Sequence, residues 1–206
     1  FNGGIFTATN DNTVYTEGGN STYNINGGTF TSTTHTGFYV ANGTKSNFNI
    51  TGGTITAKSH GIDHRGDNGT LILDNANIHA DDTGISVVNS NSKLTLNSGD
   101  VYGGLYGIYF NAAKTVFTMT GGNVTGYTYD GFRDDYSSDS MTYNITGGHI
   151  KGGRYGIHKY NDYLVVENAT IETTSNNRDH YALHTSWGSV RLKSGARIIA
   201  ERASGI

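Results

Sequence analysis

An all-β right-handed parallel β-helix is the fold this sequence predicts. Three observations lead there: a small-residue pair returns once per coil, three apolar phases keep a fixed distance from that pair, and the chain of 206 residues contains no Pro. The pairs are Gly3-Gly4, Gly27-Gly28, Gly52-Gly53, Asn75-Ala76, Ser98-Gly99, Gly121-Gly122, Gly147-Gly148, Asn168-Ala169 and Ser194-Gly195. Counted between second members, the spacings are 24, 25, 23, 23, 23, 26, 21 and 26 residues. A period of this size marks a repeat architecture in which each unit buries its apolar face only by stacking on its neighbours. The pattern gives about nine coils, each of three short strands joined by turns, in one domain over residues 1–206.

The first strand follows the small pair. Its inward positions are Phe6, Phe30, Ile55, Ile78, Val101, Val124, Ile150, Ile171 and Ile198, each followed two residues later by a small side chain such as Ala8, Ala57, Gly126 or Ala200. The second strand usually follows a bend Gly and turns inward Val14, Phe38, Ile62, Ile85, Ile108, Phe132, Ile157, Leu183 and Ile206. The third has two inward positions, from Tyr23/Ile25 and Phe48/Ile50 to Leu164/Val166 and Val190/Leu192. Apolar and polar residues alternate within each phase, the period of a half-buried strand and not of a helix. Parallel stacking places like residue over like at about 4.8 Å, so nine coils make a rod about 40 Å long. Glycine serves the bends, and proline would delete a ladder hydrogen bond in any coil it entered.

Composition narrows the functional classes. Only 34% of residues are apolar, yet 14 Tyr and 8 Phe speak against disorder. The net charge of -3 and the lack of a basic cluster argue against nucleic acid as a partner. No apolar run reaches the length of a membrane span, and without Cys there are neither disulfides nor thiolate metal sites. The chain starts and stops in mid-pattern, at Phe1 and Ile206, and reads as a piece of a longer protein. Uncapped coil ends would favour end-to-end or side-by-side self-association.

The motif Asn-Ile-Thr-Gly-Gly-Thr-Ile-Thr at Asn49–Thr56 returns at Asn144–Ile150 with His149 in the sixth place. With the whole-chain periodicity, it resembles the pectin lyase-like β-helix superfamily, and within it the repeats of bacterial surface adhesins. These include autotransporter passengers and the binding regions of serine-rich adhesins of lactobacilli. The resemblance implies an extracellular, cell-surface protein. The same superfamily holds pectate lyases, polygalacturonases and phage tailspikes, so it implies the fold more narrowly than the activity.

Inward residues specify the fold, which leaves function to the outward columns. Two flank the second strand. One precedes the bend: Thr36, His60, Thr83, Tyr106, Asp130, Tyr155, Tyr181. The other follows the inward residue: Tyr15, Tyr39, Asp63, Ser86, Tyr109, Arg133, His158, His184. Stacking gathers Tyr106, Tyr109, Arg133, Tyr155, His158, Tyr181 and His184 into one candidate ligand-binding face, with Tyr127, Tyr129, Tyr136 and Tyr160 nearby. Aromatic faces stack on sugar rings, and interleaved polar groups are typical of binding surfaces. The expected partners are glycans or host surface glycoproteins. Arg133 beside two histidines would suit an acidic polysaccharide, with affinity rising as the histidines protonate near about pH 6. An outward aromatic ladder can equally serve as cross-strand stabilisation.

Catalytic alternatives are weighed on their residues. Asp81-Asp82 and Ser59-His60-Gly61 stand near the paired-Asp and Gly-His-Gly motifs of polygalacturonases, but in the reverse order, and Ala196-Arg197-Ile198-Ile199 is only superficially like that family's Arg-Ile-Lys element. Asp130, Arg133, Asp134, Asp135 and Asp139 form the one acidic concentration, the place a lyase would hold Ca²⁺. The eight histidines are scattered, with no zinc spacing, and no Ser has a nucleophile-elbow context. Sequons such as Asn49 and Asn144 arise from an Asn- and Thr-rich composition. The first-strand outward column, Thr7 to Ile199, is too interrupted for an ice-binding Thr ladder. The sequence therefore predicts a non-enzymatic adhesin with no cofactor and no metal. A polysaccharide lyase or hydrolase and a structural spacer are the alternatives.

Overall fold

The computed structural model describes residues 1–43, 45–136 and 141–200, without the side chains of Asn161 and Asp162. Among the described residues it is a parallel β-solenoid without a helix. One sheet stacks the nine first strands, from Ile5–Ala8 to Arg197–Ala200. The second strands, from Val14–Thr16 onward, and the third strands, from Asn20–Ile25 onward, belong to a single sheet of 14. Among the described residues, eight turns and the first strand of a ninth result; Ile206, expected inward in that ninth turn, lies outside the described residues. Parallel crossovers are right-handed almost without exception, the hand expected for this winding.

The register follows the sequence repeat position for position. Phe6 pairs with Phe30, Ile78 with Ile55 and Val101, and Ile171 with Ile198. The inward residues form one continuous core in which Phe38, Phe48, Phe117, Phe132 and Ile150 are almost wholly buried. Phe117 and Phe132 stack at 5.4 Å, and Tyr143 closes edge-on against Phe132 at 4.9 Å. Burying each such ring contributes about 1.5–3 kcal/mol.

Two features differ from the expected three short strands per coil. In the seventh and eighth turns the second and third strands fuse, into Ile157–Val166 and Leu183–Leu192. Those turns hold seven residue steps from inward Ile157 to Leu164 and from Leu183 to Val190, against nine from Ile85 to Leu94. Without the two corner residues the backbone runs straight. The inward side also carries polar groups. His64, Asp134 and Lys159 occupy the last inward place of the second strand and are fully buried. Asp134 accepts from the Tyr136 amide at 2.8 Å, and Lys159 Nζ donates to the Trp187 carbonyl at 3.1 Å.

The bend glycines set the coil spacing under the outward columns. A Cβ on Gly84 would lie 2.6 Å from the Gly107 carbonyl oxygen, and one on Gly107 2.5 Å from that of Gly131. Any larger residue would push neighbouring coils apart, so the bend is Gly for close approach. At the small pair the reason is backbone angle: Gly148 has φ 88°.

Candidate functional site

The second-strand face brings together the residues that the register predicted. Tyr15, Tyr39, Asp63, Ser86, Tyr109, Arg133, His158 and His184 lie on consecutive rungs of one column. Beside it run His60, Thr83 and Tyr106, and the amides of Gly107, Gly131 and Gly156 continue that line past Asp130, Tyr155 and Tyr181. Coil spacing turns the two columns into ring contacts. Tyr106 lies 5.6 Å from Tyr109 and 5.4 Å from Tyr129. Tyr155 stacks on Tyr181 at 6.2 Å and on His184 at 5.2 Å, and His158 meets His184 edge-on at 4.5 Å.

Within this face, charges are knitted into a cluster. Asp130 is wholly buried. Arg154, one coil on, grips it with Nε at 2.9 Å and Nη2 at 2.8 Å, and Arg133 Nη1 adds a third contact at 3.3 Å. Arg133 also donates from Nε to Asp135 at 2.6 Å. The Arg154 guanidinium sits 5.0 Å from the ring centres of both Tyr129 and Tyr155, and Arg133 lies over Tyr160 at 5.9 Å. Two carboxylates thus neutralise two guanidiniums in a largely dry setting, where such bidentate pairs are strongest.

The histidines fall out differently from expectation. Arg133 Nη1 meets His158 Nδ1. A guanidinium can only donate, so Nδ1 is the acceptor and the imidazole is neutral with its proton on Nε2. Burial, then the charge of Arg133, hold the His158 pKa down at about 3. His184 is lowered as well, again by burial first and Arg133 second. Protonation of His158 near pH 6, which would have tuned an acidic ligand, is therefore corrected by its surroundings. On the aromatic side, burial and then the Asp135 charge push the Tyr109 phenol up to about 12, so it remains a hydroxyl donor.

The catalytic alternatives find no assembled site among the described residues. Asp81 pairs with Lys58 at 2.5 Å on an exposed corner. The acidic concentration is split: Asp130 and Asp135 hold arginines outside, Asp134 points into the core, and Asp139 lies outside the described residues. No three His, Asp or Glu converge where a metal could sit among the described residues. His158 Nε2 and His184 Nδ1 lack hydrogen-bond partners there, but two imidazoles beside two guanidiniums are a poor cation donor set.

Sequence reasoning did not reach Arg154, the main partner of Asp130. The signal was present, since the two lie 24 residues apart, one coil, at a bend. A second feature appears upstream. Over Ser86 and Thr83 the face sinks into a groove of about 370 Å³, bounded by Tyr106 and Tyr109 on one side and by His60 and Arg65 on the other.

Comparison with known protein families, characterised proteins and solved structures returns no match for this chain. The solenoid itself is compatible with adhesive, lytic and spacer roles.

Proposed function

We propose that this chain is a non-enzymatic binding module of a bacterial surface adhesin, and that it engages glycans across its second-strand face. The observation that carries this reading is the gathering of Tyr106, Tyr109, Tyr129, Tyr155 and Tyr181, drawn from four coils, onto one sheet surface beside polar groups. Tyr129 stays 38% exposed, so the surface still offers ring faces to a ligand. Flat tyrosines supply large contact area at small conformational cost, and a repetitive face gains strength by engaging many copies of a ligand.

A glycan array with neutral and acidic members, run at mildly acidic and at neutral pH, tests the reading. Binding to a defined set of glycans is expected at both pH values. Loss of all binding would overturn it and leave the aromatic columns as sheet-stabilising ladders. A parallel assay for uronate release and for unsaturated products, with and without Ca²⁺, is expected to show no turnover; product formation would move the chain to the lyases or hydrolases.

A further inference from the structure

We infer that the ligand is seated in the groove over Ser86, as one uncharged pyranose unit stacked against Tyr109. This inference rests on the glycan reading above and narrows it to a place and a chemistry. The groove exists because the outward columns change height. Tyr39 and Tyr109 flank two short residues, Asp63 and Ser86, in consecutive rungs, and Thr83 lies between His60 and Tyr106 in the neighbouring column. Its volume of about 370 Å³ lies in the range of small-ligand sites.

The walls have complementary chemistry. Tyr106 and Tyr109, tilted 45° to each other, make an aromatic side. Opposite stands Arg65, whose Nε is fixed by Asp63 at 2.8 Å while 41% of the side chain stays exposed. Asp63 itself is buried, so Arg65 is held in place and its charge is balanced from below. His60 is also oriented, with Ser59 Oγ 2.8 Å from its Nδ1. Asp82 accepts from Thr83 Oγ1 at 3.1 Å and has no cationic partner among the described residues. Asn111 adds an amide at the rim.

The charge balance chooses the ligand. Arg65 is already neutralised by Asp63, so the unbalanced group in the groove is the Asp82 carboxylate. A uronate or sialic acid would bring a second carboxylate against it, and like charges at that range repel. Sugar hydroxyls, in contrast, donate to Asp82 and accept from Arg65 and Asn111, while an apolar ring face covers Tyr109. Downstream, Arg133 and Arg154 offer an acidic ligand little in its place, because Asp130 and Asp135 already balance their charges.

The test compares four proteins on the same array of neutral and acidic oligosaccharides: the wild type, Ser86→Tyr, Asp82→Ala, and the double variant Tyr155→Ala/Tyr181→Ala. Ser86→Tyr fills the groove yet continues a column in which Tyr15 and Tyr39 already stack at 5.5 Å, so the fold is kept, which a melting curve verifies. The expected result is wild-type binding to neutral members that persists at high salt. Ser86→Tyr abolishes it, Asp82→Ala weakens it about tenfold, and the double variant, farther along the same face, weakens it less than Asp82→Ala does. Binding that survives Ser86→Tyr but falls in the double variant overturns the groove and keeps the glycan reading. Binding confined to acidic members and lost in high salt overturns the neutral-ligand chemistry. No binding by the wild type overturns both this inference and the glycan reading beneath it.

Discussion

Two stretches of the same outward face use one scaffold for opposite ends. Around Asp130, the side chains of adjacent coils satisfy each other: two carboxylates, two guanidiniums and a neutral imidazole interlock between aromatic rings. Around Ser86, short side chains leave a gap, and Asp82, Arg65 and Tyr109 surround it without filling it. The cluster holds more charge in sequence, yet the groove has more to offer a ligand. Formal charge on a strand says little about recognition until its partners in the next coil are known.

The largest expected difference is in stability. Asp130→Ala strands Arg154 and Arg133 in a dry site and is expected to cost about 3–5 kcal/mol. Asp82→Ala, at the half-exposed groove, is expected to stay within about 0.5 kcal/mol of wild type. Denaturant melts of both variants measure the contrast, and equal losses would erase it. The coil spacing, in contrast, should matter equally beneath both regions. Gly84→Ala meets the Gly107 carbonyl at 2.6 Å, and Gly131→Ala meets the Lys151 carbonyl at 2.6 Å. Each is expected to cost about 1–3 kcal/mol.

A third contrast is in pH. His158 has a folded pKa of about 3, below its unfolded value of about 6.5. Between these the unfolded chain binds the proton and the folded chain does not. Stability is therefore complete above about pH 6.5 and falls as the pH drops toward 3, with a slope of at most about 1.4 kcal/mol per pH unit. His158→Gln should make that limb shallower, and pH-dependent melts decide. The smallest effect is spectroscopic. With the phenol of Tyr109 at about 12, an alkaline absorbance titration should lose a late-ionising tyrosine in Tyr109→Phe.

Much of this was legible in the sequence. The inward columns and the rung order of the outward face follow from a side-chain period of two, because a slip of one residue would turn every Ile and Phe outward. The fused strands were legible in principle from the seven-residue intervals at Ile157–Leu164 and Leu183–Val190. Depth was not. Nothing in the residue types told that Asp130 and His158 would be buried by their neighbours while Tyr129 stayed open, since that depends on which long side chains lean across a rung. Arg154 illustrates this: it belongs to a bend, outside the alternation, and reaches Asp130 only because the coil closes at 24 residues. The inward polar residues His64, Asp134 and Lys159 also ran against the apolar pattern and had no signal at their position.

The most direct measurement is a crystal structure with the tightest-binding neutral oligosaccharide from the array. Sugar density over Ser86, with a ring face on Tyr109 and hydroxyls at Asp82 and Arg65, is the predicted result. Density instead against Tyr155 and His184, with the groove left to solvent, would contradict the division of this face into a closed cluster and an open seat.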